Sequence, residues 1–206
     1  MRITTIIRAR WQALAILPLA TGAALVVHIL TGVSLGLALL ATIVLVLAMG
    51  VLAWSRLTPA IRQQVRRRAI AGAISGVLAT IVYDLSRLLL IDVFHYTFWP
   101  FDIFSIFGQA IAGTNLAPIL ITAIGVIYHY TNGILFSIAY VVLLARRPWW
   151  TGILWALGLE AFMLALYPGW LHIQAYNEFV SLSMLGHIAY GIVLGITSKK
   201  ILVWRE

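Results

Sequence analysis

Residues 33–54 read VSLGLALLATIVLVLAMGVLAW, a run of 22 residues without a charged side chain. A helix needs about 20 apolar residues to cross a hydrocarbon core of about 30 Å. The run is continuous instead of alternating, and it is far longer than the strands of a membrane barrel, which have about 10 residues. This stretch therefore predicts a membrane-spanning helix and an all-α fold.

Five further stretches satisfy the same criterion, within a residue or so: Trp11–Leu30, Ala69–Ile91, Ala117–Ala145, Trp149–Tyr167 and Phe179–Thr197. The composition agrees, because 63% of the 206 residues are hydrophobic and 10% are charged, against about 45–50% and about 25% in soluble domains. The chain has no cysteine, which excludes disulfide frameworks and thiolate chemistry. The sequence predicts a polytopic membrane helical bundle with six transmembrane helices.

The beginning of the chain allows two interpretations. MRITTIIRAR followed by an apolar run is also typical of a secretory signal peptide. The run continues to Leu30, however, and Thr31 and Gly32 lead directly into the next span. A first transmembrane helix is therefore favoured.

The positive charges indicate the orientation, because Lys and Arg in short loops are retained on the cytoplasmic side. Thirteen of the 14 cations precede span 1, separate spans 2 and 3 or spans 4 and 5, or follow span 6: Arg2, Arg8, Arg10, Arg56, Arg62, Arg66, Arg67, Arg68, Arg146, Arg147, Lys199, Lys200 and Arg205. We predict cytoplasmic termini in an inner-membrane protein. An N-terminal hairpin and basic cytoplasmic loop occupy 1–68, and a four-helix core with a polar site occupies 69–206.

The net charge of +8 is concentrated in the RQQVRRR stretch. Arg62, Arg66, Arg67 and Arg68 are predicted to anchor the topology and to contact anionic lipids. No recognition fold or base-stacking platform accompanies them, so we expect no nucleic acid partner.

The outer loop at 92–116 is long for a bare connection, which predicts internal structure. Asp102 can cap a helix that continues to about Ala112. Its polar residues share one face and its apolar residues the other, as in a helix at the membrane interface or a lid over the bundle. With its aromatic neighbours the loop also resembles an aromatic belt. We predict a short interfacial helix.

Five ionisable side chains lie inside the last four spans: Asp84, Arg87, His129, Glu160 and His187. Each costs about 2.5–3.5 kcal/mol on insertion if it is charged, so each requires a reason. At a rise of about 1.5 Å per residue, all but His129 lie in the outer half of the bilayer. We predict that they line one outward-facing ligand site, together with Asn132 and Tyr190.

Three functions fit such a site. The first is binding or translocation of a small ligand, ion or proton, with Arg87 as an anion anchor and the histidines as titratable groups. The second is a metal-dependent membrane enzyme, in which His129, Glu160 and His187 bind zinc or iron. Haem is disfavoured, since the two histidines differ in depth by about 6 Å. The third is a non-catalytic subunit that pairs with a second copy or with partners in a membrane complex.

From His129 onward the chain resembles the YagU-type small inner-membrane proteins of bacteria. The similar features cover roughly the C-terminal 75 residues: His129 eleven residues before Tyr140, Phe136-Ser137-Ile138, Trp150 with Gly152, and Gly186-His187. The N-terminal hairpin and Glu160 depart from that pattern. The resemblance implies a bacterial inner-membrane protein with a Gly-His helix and suggests a tie to acid tolerance. It supplies no substrate or reaction.

Overall fold

The computed structural model describes residues 14–144 and 146–203, and this part of the chain is helical without a strand. The predictions that involve Arg2, Arg8, Arg10, Trp11, Ala145 and Arg205 lie outside the described residues. A 3-10 turn at Leu17–Leu19 precedes the first helix, and another at Pro100–Asp102 precedes the fourth. The helices are α1 (Ala20–Thr31), α2 (Leu35–Ser55), α3 (Pro59–Phe94), α4 (Ile103–Ala112), α5 (Pro118–Leu144), α6 (Thr151–Leu171) and α7 (Tyr176–Val203).

Five described helical segments are long and apolar enough to cross a membrane: Leu14–Thr31, Leu35–Ser55, Pro118–Leu144, Thr151–Leu171 and Tyr176–Val203. They confirm the all-α class of the described residues, and they overlap five of the six predicted spans. The remaining predicted span, Ala69–Ile91, which is the third along the chain, is not among these five. It lies within α3, which has arginines in its first turns and Asp84, Arg87 and Asp92 towards its end.

The basic stretch at 55–68 differs from the predicted loop, because most of it is helical. Thr58 caps α3, and its hydroxyl accepts a hydrogen bond from the backbone N–H of Ile61. Pro59 occupies the first helical position, where its missing N–H has no cost and its fixed φ favours the helix. The arginines therefore stand on the first turns of the same helix that carries Asp84 and Arg87.

Helix α3 is central, with α5 and α7 packed against it, while α6 packs against α7. Glycines allow these close approaches. A Cβ at Gly76 would stand 2.8 Å from the Cα of Ile134 on α5, and one at Gly191 would stand 2.6 Å from the carbonyl oxygen of Gly152 on α6. Small residues therefore bring the backbones of α3 and α5, and of α6 and α7, close together at the level of the polar side chains.

The outer-loop helix is confirmed, but it does not lie flat across the end of the bundle. A Cβ at Gly125 would contact the carbonyl oxygen of Phe104, and a Cβ at Gly108 would contact that of Ile121. From Phe104 to Gly108 the chain advances four residues along α4, while the contacted residue on α5 moves back four residues, from Gly125 to Ile121. The two helices are therefore antiparallel. Asp102 makes no side-chain cap, because it belongs to the preceding 3-10 turn with φ −59° and ψ −23°.

The N-terminal hairpin joins the core beside α4. The ring of Phe107 contacts the rings of Tyr128, Tyr167 and Trp170, and the hydroxyl of Tyr128 donates to the carbonyl of Thr21 at 3.0 Å. Most large side chains of α2 remain exposed. This distribution is the one expected for a helix that faces lipid.

Candidate functional site

The first polar group joins α3 to α5. The Nη2 of Arg87 donates to Oδ1 of Asp84 at 2.6 Å, one helical turn away. The Nε2 of His129 lies 3.2 Å from the same oxygen, although the geometry is not that of a hydrogen bond. Asp84 and Arg87 are 9% and 5% exposed, so water screens this cluster little.

The second polar group joins α6 to α7. The Oε2 of Glu160 accepts from the Ser183 hydroxyl at 2.8 Å and lies 2.9 Å from Nδ1 of His187. The same Nδ1 is 2.9 Å from the carbonyl oxygen of Ser183. A carbonyl only accepts, so we assign a hydrogen to Nδ1 of His187. Glu160 is 1% exposed, and its Oε1 has no partner.

Tyr83 stands between the two groups. Its ring centroid lies 4.9 Å from that of His187 and 5.9 Å from that of His129. It also lies 4.2 Å from the guanidinium carbon of Arg87. A Cβ at Gly186 would come within 2.9 Å of this ring, so the glycine before His187 makes room for it. The five predicted titratable side chains therefore form a group of three and a pair on either side of one tyrosine.

Two phenylalanines of the outer segment cover the first group. The centroid of the Phe101 ring lies 4.7 Å from the guanidinium carbon of Arg87. The centroid of the Phe104 ring lies 5.1 Å from the centroid of the His129 ring. His129 is eleven residues into α5, about 16 Å from its first residue. The chain between α3 and α4 therefore descends along the bundle to the depth of the site before α4 returns.

Glu178, at the start of α7, holds this outer segment in place. Its Oε2 accepts hydrogen bonds from the backbone N–H groups of Thr97 and Phe98, both at 2.8 Å. The Thr97 hydroxyl lies 3.3 Å from the same oxygen. Hydrogen bonds to a charged acceptor contribute about 1.5–3 kcal/mol each, so the carboxylate is a substantial fastening.

Two other predicted site residues lie apart from the pairs. Tyr190 donates to the carbonyl of Gly133 at 2.7 Å and lies 2.6 Å from the Ser137 hydroxyl. Asn132 lies beside Tyr128, towards the hairpin. Within the described ranges, no hydrogen bond joins Asn132 or Tyr190 to the five titratable side chains.

The metal hypothesis gains no support from the geometry. Across residues 14–144 and 146–203, no group of three or more His, Asp or Glu side chains is arranged to hold a metal ion. His129 pairs with Asp84, whereas His187 pairs with Glu160. The predicted trio of His129, Glu160 and His187 is therefore divided between two pairs.

Three buried polar atoms of the cluster have no hydrogen-bond partner: Nε of Arg87, Nε2 of His129 and Oε1 of Glu160. Such atoms are uncommon in folded proteins and require an explanation, such as a bound water or ion. Two surface grooves border α2, and neither is lined by these residues. Each of the three unpaired atoms is itself shielded from solvent.

At the cytoplasmic end predicted from the charges, the four arginines of the lipid hypothesis differ in exposure. Arg66 is exposed, whereas Arg68 is 8% exposed and donates through Nη1 to the carbonyl of Val142 at 2.8 Å. Burial, and then the charge of Arg146, lower the pKa of Arg68. Arg68 thus has a packing role between α3 and α5.

Sequence reasoning missed three contributors: Tyr83, Ser183 and Glu178. Tyr83 and Ser183 each lie four residues before a predicted site residue, Arg87 and His187. Residues at this spacing share one face of a helix, so the signal was present for both. No local pattern links Glu178 to Thr97, which precedes it by 81 residues.

The chain belongs to the DUF6789 family, a family of unknown function, whose model matches residues 66–202. The match begins near the predicted boundary at 68/69 and contains all five titratable side chains. No curated protein and no solved structure matches the chain.

Proposed function

We propose that this protein binds a proton, and translocates it or couples it to a small ligand or ion, at the Glu160–His187 pair. We further propose that it spans the bacterial inner membrane six times with both termini in the cytoplasm, and that it is related to the YagU-type proteins. The site opens towards the outer side, where the segment between α3 and α4 covers it.

The surroundings of the Glu160 carboxyl carry this proposal. Its neighbours are His187 and Ser183, and one of its oxygens has no partner. An isolated carboxylate in such a place is costly unless it is paired. One proton neutralises such a carboxyl, and the carboxyl itself and the imidazole of His187 are the two groups in place to hold it.

The charged and titratable groups that face Glu160 come from both neighbouring helices. His187 approaches from α7, and Tyr83 of α3 contacts His187. Arg87, over the Tyr83 ring, adds a positive charge beyond it. Asp84 and His129 form a second pair on the other side of Tyr83, and we propose that they provide a further proton-binding position.

Infrared difference spectroscopy tests the proton site directly. The full-length protein in lipid, taken through a pH change, should show a protonated-carboxyl band that disappears in Glu160→Gln. The matched control is Glu178→Gln, which removes a more accessible carboxylate. A band that persists in Glu160→Gln, or no carboxyl or imidazole change at all in the wild type, contradicts the proposal.

Proteoliposomes with an internal pH dye separate binding from translocation. Translocation requires proton flux that falls in Glu160→Gln and in His187→Phe, while Asp92→Asn, which removes an exposed carboxylate, retains it. Flux that is equal in all variants and in empty vesicles leaves a binding site without transport.

The orientation has its own test, because the chain contains no cysteine. Single cysteines at Asn177 and Gln64 should react differently with a membrane-impermeant maleimide in intact cells. We expect labelling at Asn177 and protection at Gln64. The reverse pattern, or equal labelling, refutes the proposed topology.

A structural subunit is the second candidate function, favoured by a specific observation. The contact of Tyr190 with Ser137 and Gly133 joins two helices entirely through satisfied hydrogen bonds. If the polar cluster only specifies helix pairing, proton-dependent signals will be absent and partners will co-purify. The metal-enzyme alternative has no comparable observation in its favour.

A further inference from the structure

We propose that Arg87 is the anchor of a binding site for a small organic acid, a carboxylate on an apolar body. The inference rests on the proposed outward-facing site and names its ligand class. It concerns the α3–α5 side of the cluster, and Glu160 lies on the other side of Tyr83.

The guanidinium of Arg87 has an N–H donor without an acceptor. Arginine carries five N–H donors in one plane, and Nη2 serves Asp84. Nε is buried without a partner in a side chain that is 5% exposed. A buried donor left without an acceptor costs about 1–3 kcal/mol. An acceptor at this edge relieves that cost.

The charge around Asp84 favours an anion as that acceptor. Its Oδ1 alone faces both the Arg87 guanidinium and the His129 imidazole. When His129 is protonated, one carboxylate stands against two cations. A ligand carboxylate supplies the second negative charge, and Arg–carboxylate pairs commonly use two parallel N–H donors.

The surrounding rings favour a carboxylate with an apolar body over a bare inorganic ion. Tyr83 and Phe101 lie within 4.7 Å of the guanidinium carbon, and Phe104 contacts His129. Ligand sites typically combine apolar and aromatic walls with a few placed polar groups. Here the rings provide the walls and Nε provides the placed donor.

Entry requires movement of the covering segment, and the backbone marks where it bends. His95, with φ 54° at the end of α3, begins this segment, and α4, whose backbone packs closely against α5, ends it. Between these points, only the Glu178 carboxylate holds Thr97 and Phe98 by hydrogen bonds among the described residues. Loss of the hydrogen bonds to Glu178 uncovers Phe101 and the Arg87 side chain beneath it.

Calorimetric titration of the full-length protein in detergent tests the site with benzoate as the probe. We expect saturable binding, with benzamide, which lacks the charge, at least about tenfold weaker, a difference of about 1.4 kcal/mol. Arg87→Lys should weaken benzoate binding by at least about tenfold as well, because it removes Nε. Arg66→Lys, on an exposed arginine of the same helix, should bind as the wild type does.

A second variant keeps the test decisive if Arg87→Lys does not fold. Phe101→Ala preserves the Arg87–Asp84 pair and removes part of the cover, so benzoate should associate several-fold faster. Equal binding of benzoate and benzamide, binding unchanged in Arg87→Lys, or preference for phosphate or anionic-lipid vesicles over benzoate overturns the proposal. The infrared band of Glu160 is measured separately, so loss of the proton site and loss of the acid site are distinguishable.

Discussion

Replacement of Gly191 by alanine is the sharpest test of how α6 and α7 meet. An added Cβ would stand 2.6 Å from the Gly152 carbonyl oxygen, 2.6 Å from the Cα of Ile153 and 2.8 Å from its N. All three are backbone atoms, so no side chain can rotate away. To reach an ordinary contact of at least 3.4 Å, the helices must separate by about 0.8 Å.

Gly158→Ala is the matched control, because a Cβ there meets nothing within 4 Å. Both substitutions gain about 1 kcal/mol of helix propensity, so the difference between the variants isolates the packing cost. Overpacking costs about 1–3 kcal/mol, which makes Gly191→Ala less stable than Gly158→Ala by that amount. Each kcal/mol shifts the unfolding midpoint by about 2–4 °C in a chain of this size.

Thermal unfolding of the two variants in the same detergent measures this difference. Gly191 lies one turn from His187, so the separated helices should also lengthen the Glu160–His187 contact and alter the carboxyl band in the infrared spectrum. Equal midpoints for the two alanine variants would refute the backbone contact between α6 and α7 and, with it, the arrangement that brings Glu160 to His187.

Three further substitutions test other contacts. Glu178→Gln should speed hydrogen exchange at the Thr97 amide several-fold, because a neutral acceptor forms a weaker hydrogen bond with this N–H. Unchanged exchange would argue against a hydrogen bond from Thr97 to Glu178. Arg68→Gln should lower the free energy of unfolding by about 1–3 kcal/mol, while Arg66→Gln leaves it nearly unchanged, and equal effects would contradict the packing role. Tyr190→Phe should cost about 1–3 kcal/mol because it removes the hydroxyl that pairs with the buried Ser137 hydroxyl, and an unaltered unfolding midpoint would count against that bond.

The membrane helices were predictable because hydropathy depends only on composition along the chain. Five described segments follow the expected pattern. The start of α3 was not predictable from the same signal, since arginines are typical of loops in membrane proteins. The cap that Thr58 provides is a local feature that a hydropathy pattern passes over.

The sequence was a better guide to which residues belong to the site than to which of them contact one another. A four-residue spacing places Asp84, His129 and Glu160 on inward faces, but it does not say which faces meet. Pairing depends on helix order, with α3 between α5 and α7. The position of α4 depended on glycines at 108 and 125, whose meaning appears only once both helices are placed.

The dependence of the covering segment on Glu178 also sets an order of assembly. The Glu178 carboxylate, which accepts from Thr97 and Phe98, is synthesised 81 residues after Thr97. The segment cannot settle while the nascent chain ends at α4 or α5. Its closure therefore reports that α7 has been inserted, so the site becomes covered only after that helix is in place.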